Sequence, residues 1–238
     1  MTALVSARGV GVRFLFDRQR RPTSKTAAAI RRGTVTEWGI RGVNLTVSPG
    51  ESVALVGGNG AGKTTLLRVV AGVYVADEGS IAVGGPVASL LSVNAGLMPT
   101  LTGRENCLLL GVIAGLTRGQ ARAALDELKE TSQLGEAFER QVSSYSQGMR
   151  ARLGLGVMER LRPRLLLLDE VHQALDHEFR GELESRARST IAAGGAVMAA
   201  GHDLEALASI CERALLLERG RLCRVGPFDE VVEDYLGT

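Results

Sequence analysis

Gly57-Gly58-Asn59-Gly60-Ala61-Gly62-Lys63-Thr64-Thr65 fits the pattern G-x-x-x-x-G-K-[ST]. The residues before it, Ser52-Val53-Ala54-Leu55-Val56, read as a buried strand, and Lys63 to Ala71 reads as a helix with Leu66, Leu67 and Val70 on one face. The glycines therefore stand where a strand turns into a helix. That position suits phosphate chemistry. Glycines let the backbone wrap closely around an anion, so that successive N–H groups point inward as a nest. The helix N-terminus adds partial positive charge. Lys63 can reach β- and γ-phosphates, and the Thr64 hydroxyl can ligate Mg²⁺. The bland alternative is a glycine-rich turn with a stray lysine, and the strand and helix on the correct sides argue against it.

Composition bounds the rest. The chain has 238 residues, 45% hydrophobic and 23% charged, as expected of a globular protein of one large or two small domains. No apolar run approaches the roughly 20 residues of a membrane span. Met1 to Ser6 has no secretory pattern. Cys107, Cys211 and Cys223 are far apart and have no metal spacing; they read as small buried apolar residues in a reducing compartment. A net charge of +2 does not point to nucleic acid. Charge is nevertheless uneven. Arg18, Arg20, Arg21, Lys25, Arg31 and Arg32 share one segment with Pro22 and Gly33. That segment reads as a solvated loop between two strands, or as a surface attracted to anionic lipid at about 1 kcal/mol per basic residue.

Val5 to Phe16 and Ile40 to Val47 read as strands, the second ended by Ser48-Pro49-Gly50. Ser80 to Val83 and Val87 to Leu91 are short strands. Thr102 and Glu105 form a capping box before an apolar helix through Ala114. Arg118 to Lys129 reads as one helix, and Ser146 can cap another to about Leu161. Arg164 to Leu168 is an apolar strand, Glu178 to Ala192 a helix, Ala196 to Ala200 a strand and Leu204 to Ser209 helical. Ala214 to Leu217 and Arg221 to Val225 form a hairpin around Glu218-Arg219-Gly220, and a short helix follows Pro227. Alternating strands and helices predict an α/β fold with a largely parallel sheet. The mostly helical signals from about 92 to 161 predict an inserted helical subdomain.

The strand Arg164 to Leu168 ends in Asp169-Glu170. Ligand sites in open α/β sheets lie at the carboxyl ends of strands. Asp169 is thus placed to hold Mg²⁺ together with phosphates, and Glu170 to polarise a water for attack on the γ-phosphate.

Upstream lies Tyr145-Ser146-Gln147-Gly148-Met149, which resembles the signature motif of ABC-transporter ATPases. Its extension through Arg150-Ala151-Arg152-Leu153 is similar to the form in polysaccharide, O-antigen and teichoic-acid exporters of that superfamily. So are Ala88-Ser89-Leu90-Leu91, Pro99 to Asn106 and Asp169-Glu170-Val171. The resemblance runs from Phe14 to about Val225. It implies a P-loop NTPase (RecA-like) α/β core with an antiparallel β subdomain and an inserted helical subdomain, in one nucleotide-binding domain over residues 1–238. It also implies ATP and Mg²⁺ as ligands, with Gly57, Asn59, Gly60, Ala61, Gly62, Lys63, Thr64 and Thr65 around the phosphates and Phe14 stacked on adenine. Ser146, Gln147 and Gly148 would contact the nucleotide bound to a second copy in a head-to-tail dimer, with Asp176 at the dimer contact. His202 would lie near the γ-phosphate, and Glu170, His202 and Lys63 would be catalytic.

The chain departs from the usual pattern in places. Gln147 stands where the signature usually has a glycine, Met149 where it usually has a glutamine, and Ser92 where a glutamine normally senses Mg²⁺ and the transmembrane partner; His172 has no family role. The resemblance further implies a transmembrane permease subunit in two copies, a peripheral location on the cytoplasmic face of the cell membrane, and a lipid-linked glycan as indirect partner. With only Arg224 to Thr238 after the last hairpin, no C-terminal carbohydrate-binding domain is expected. Three rivals remain: another P-loop enzyme, although no Asn-Lys-x-Asp guanine motif is present; a non-transport ABC ATPase; and a cassette for another solute.

Overall fold

Strand β1 (Val5–Asp17) pairs antiparallel with β2 (Thr34–Val47) on one side and with β4 (Glu78–Val83) on the other. Val5, Ala7, Val10 and Val12 are buried, and this inward set skips a residue after Ala7. Gly9 stands at the skip with φ +60°, a left-handed conformation that lets the ladder bulge and return its apolar residues to the core. The computed structural model describes residues 3–17, 34–90, 96–113, 116–160, 163–169 and 177–237. β2 starts at Thr34, earlier than the sequence expectation of Ile40, because pairing with β1 continues to Asp17↔Thr34.

The larger sheet has the order β5-β6-β7-β3-β8-β9, with β5 (Val87–Leu90), β6 (Leu165–Asp169), β7 (Ala196–Ala200), β3 (Ser52–Val56) and β8 (Arg213–Glu218) parallel. β9 (Arg221–Pro227) returns antiparallel as the expected hairpin. The central strands are apolar on both faces because both are covered. Leu165 and Leu167 face one core with α1 (Lys63–Val70) and the smaller sheet. Leu166 and Leu168 face a second core with α6 (His177–Ala192), α7 (Leu204–Ala208) and α8 (Phe228–Gly237).

Between β5 and β6 lie α2 (Gly103–Ile113), α3 (Arg118–Ala123), α4 (Leu125–Thr131), two 3₁₀ turns at Gly135–Glu139 and Val142–Ser144, and α5 (Gln147–Arg160). They have their own core around Cys107, Leu128, Phe138 and Leu153. Helix α5 joins the layers: Leu153 and Val157 enter the helical core, whereas Ala151 and Leu155 enter the second sheet core. The single helix expected over 118–129 is two helices. A Thr117/Gln120 capping box starts α3, and the chain breaks at buried Ala124 before α4. The cysteines divide as well. Cys107 and Cys211 are buried as expected, but Cys223 is exposed on β9 because that edge strand has one face in solvent.

Candidate functional site

The glycine loop owes its shape to two close approaches. Gly57 has φ +146°, and a Cβ there would run into the Leu217 carbonyl. Gly62, the residue before α1, has φ +106° and ψ 5°; a Cβ there would lie 2.7 Å from both the Gly39 oxygen and Ile40 Cγ2. No other residue type fits either position without moving β2 or β8. The loop is braced from within and from the side. Ala61 N–H donates to Gly58 O at 3.2 Å, and Gly220 N–H donates to Ala61 O at 2.9 Å.

Helix α1 has no acidic residue in its first turn, so its N-terminal dipole stays available to an anion. Lys63 is only 6% exposed, and its ammonium donates to Gly57 O at 2.6 Å and Gly58 O at 3.1 Å. The loop's own carbonyls thus hold the positive charge over the cradle. Thr64 and Thr65 are half-buried behind it, and Asn59 and Gly60 are exposed at the tip.

Phe14, half-buried on β1, packs over Gly39 with Thr65 nearby, which brings the expected base-stacking aromatic to the loop's flank. Its ring meets Tyr74 edge-on, with centroids 5.7 Å apart. The Tyr74 hydroxyl accepts from Arg68 Nη1 at 2.9 Å. Sequence reading missed Tyr74; an aromatic just past the end of α1 carries no spacing signal.

Asp169 is the last residue of β6, 6% exposed and opposite Ala200 of β7. β3 and β6 both run parallel to β7, so Asp169 at the carboxyl end of β6 and Thr64, which follows the carboxyl end of β3, belong to the same end of the sheet. Among the described residues, no group of three or more His, Cys, Asp or Glu could hold a metal ion. One carboxylate and one hydroxyl, both hard oxygen donors, suit an Mg²⁺ whose remaining ligands are phosphate oxygens and water.

His202 is exposed two residues beyond β7, at the same carboxyl edge. The next residue, Asp203, was not singled out from the sequence. Its Oδ1 accepts from Ala206 N–H at 3.0 Å and caps α7, a role foreshadowed by an Asp directly before a helical run.

Ser146 and Gln147 are exposed, and Gly148 half-buried, at the start of α5. Ser146 Oγ accepts from Met149 N–H at 3.2 Å, the expected cap. The preceding Tyr145 is buried and donates its hydroxyl to Ala137 O at 2.6 Å. Burial pushes the phenol's pKa up, which keeps it a donor. The Thr102/Glu105 capping box is also formed, with reciprocal backbone bonds of 2.8 and 3.1 Å. The bond from the Thr102 backbone holds the Glu105 carboxyl below its ordinary range.

Glu170, Ser92 and Asp176 lie outside the described residues, as does the basic segment 18–32. A recess of about 620 Å³, lined by Leu128, Leu155, Arg164 and Arg186 among others, opens at the amino end of β6. That is the opposite end of the strand from Asp169, so the recess takes no part in this site.

Residues 40–173 match the profile of the ABC transporter family. The chain is 36% identical over 196 residues to the O-antigen export system ATP-binding protein RfbB of Klebsiella pneumoniae, covering 82% of this chain and 80% of that protein. It is 35% identical to the Myxococcus xanthus protein of the same name over 82% of this chain but only 45% of that one. It is 30% identical to the teichoic acids export ATP-binding protein TagH of Lactococcus lactis, covering 83% of this chain and 42% of that protein. The chain thus spans less than half of the Myxococcus and Lactococcus relatives. A dimeric post-hydrolysis structure of the ATP-binding cassette MJ0796 bound to ADP and Pi superposes with a TM-score of 0.76 at 19% identity, covering 94% of this chain and 98% of that one. Among the described residues, no helix is long and apolar enough to cross a membrane.

Proposed function

This chain belongs to the ABC transporter family as its ATP-hydrolysing cassette, and on that premise we propose that it powers export of a lipid-linked polysaccharide or cell-wall glycan through a separate transmembrane subunit. The carrying observation is the loop itself. A glycine cradle sits at a helix N-terminus, Lys63 is held over it, and buried Asp169 ends a strand at the same edge of the sheet. The glycan reading rests on relatives named for O-antigen and teichoic-acid export. A cassette for another solute is the alternative.

In this reading residues 1–238 form one nucleotide-binding domain, with a helical subdomain at about 92–161. ATP lies with its phosphates over Gly57 to Thr65 and its base against Phe14. Lys63 exchanges the Gly57 and Gly58 carbonyls for phosphate oxygens. Thr64 and Asp169 would hold Mg²⁺, which when bound offsets charge on the β- and γ-phosphate oxygens. Glu170 orients and deprotonates the attacking water, and His202 stabilises charge at the γ-phosphate. Ser146, Gln147 and Gly148 face the nucleotide of a second copy, Asp176 lies at that dimer contact, and Ser92 faces the transmembrane partner. Two cassettes serve two permease subunits at the cytoplasmic face of the membrane. The basic residues 18–32 meet that partner or the anionic lipid.

General-base assistance is typically worth 10²–10⁴-fold. Glu170→Gln is therefore expected to slow hydrolysis by about that factor while ATP still binds; turnover at the wild-type rate would remove Glu170 from the base role. For the cargo, the chain is co-purified with its membrane partner and the bound lipid is analysed by mass spectrometry. A glycan-bearing lipid supports export of that class. A complex that carries no such lipid, and whose ATPase ignores added glycolipid, favours the alternative.

A further inference from the structure

The three residues Gly201-His202-Asp203 join β7 to α7. Their upstream end is fixed, because Ala200 pairs with both Leu55 of β3 and Asp169 of β6. Their downstream end is not fixed by α7 alone. That helix has five residues and buries only Leu207, and so short a helix has little stability of its own. Asp203 supplies what α7 lacks, because its two oxygens do different work. Oδ1 caps α7 through Ala206 N–H at 3.0 Å, whereas Oδ2 lies 3.9 Å from Arg180 Nη1. Arg180 is in the first turn of α6, a sixteen-residue helix seated in the core through Leu183 and Ala187. Its Nε is shielded from solvent and has no acceptor among the described residues, so the root of the guanidinium is packed in place rather than free in water.

We propose that Arg180 and Asp203 form a positioning pair that anchors the His202 turn to α6 and so sets the direction of His202 toward the nucleotide. The inference rests on the reading of His202 as the residue beside the γ-phosphate. The side chains are 42% and 31% exposed. A pair of that kind contributes little to stability, so losing it is expected to disturb alignment more than folding.

The test is steady-state ATPase of the full chain as a function of ATP concentration. The variants are Arg180→Gln, Arg180→Lys, Asp203→Asn, the double variant Arg180→Gln/Asp203→Asn, and His202→Ala. Asp203→Asn keeps an oxygen to cap α7 and removes only the charge. Arg180→Gln and Asp203→Asn are each expected to lower kcat by about two- to five-fold, the range that a half-exposed pair supplies. KM for ATP stays at the wild-type value because the glycine loop is untouched. Arg180→Lys recovers most of the loss, and the double variant is no worse than either single one. A wild-type kcat in Arg180→Gln, or losses that multiply in the double variant, overturns the pairing. A loss expressed in KM makes the effect one on binding and overturns it equally. If His202→Ala hydrolyses ATP normally, the reading of His202 fails first, and that result is distinct from failure of the pair. Should Asp203→Asn unfold, Arg180→Gln against Arg180→Lys decides alone.

Discussion

Replacing Lys63 with alanine separates two roles that the structure gives one side chain. With no nucleotide, the ammonium closes the loop by donating to Gly57 O at 2.6 Å and Gly58 O at 3.1 Å. With nucleotide, the same charge is expected on phosphate oxygens. A hydrogen bond involving a charged group is worth about 1.5–3 kcal/mol net, which corresponds to about 10- to 150-fold in Kd. Lys63→Ala should therefore weaken ATP binding within that range. The free protein should lose less, about 1 kcal/mol, because water can enter the space left by the side chain and satisfy the two carbonyls. Isothermal titration calorimetry with a slowly hydrolysed ATP analogue measures the first quantity, and urea unfolding without nucleotide measures the second. Unchanged affinity would refute the phosphate role. A loss confined to the free protein would make Lys63 a structural plug and nothing more.

Other expectations follow from single contacts. Gly62→Ala places a Cβ 2.7 Å from the Gly39 oxygen in a left-handed conformation, and should cost about 2–4 kcal/mol in urea unfolding together with ATP affinity; a neutral result would mean that the loop relaxes freely. Asn106 is fully buried and bonds Met98 N and O, Leu101 O and Thr102 O, so Asn106→Ala should destabilise by about 2–4 kcal/mol and speed amide exchange at residues 98–102. Burial pushes the Cys107 and Cys211 thiols up to about 12, so near pH 8 a disulfide reagent should label exposed Cys223 promptly and the other two only on unfolding. Three fast thiols in the folded protein would contradict that burial.

The glycine loop was legible because its determinants are local. Left-handed glycines, a following helix N-terminus and a lysine one residue on are all set within nine residues of chain. The Thr102/Glu105 capping box and the Glu218-Arg219-Gly220 hairpin were legible for the same reason. The break at Ala124 was not, because uninterrupted helical periodicity over 118–129 says nothing of how Ala121 and Ala124 bury among neighbouring helices. Nor was the fate of Cys223, which reads the same as Cys211 until the strand bearing it turns out to be an edge.

Sequence alone determined the order of motifs, the parallel α/β class and most of the residues at the carboxyl edge of the sheet, since each depends on neighbours a few positions away. Tertiary structure decided which distant groups meet. It set Tyr74 against Phe14, Gly39 beneath that ring, the Leu217 carbonyl behind Gly57, and Arg180 beside Asp203. Those pairings span from about twenty to about 160 residues of chain. Close contact between such remote positions is created by the packing of sheets and helices on a shared core, and no local pattern of residue types encodes it.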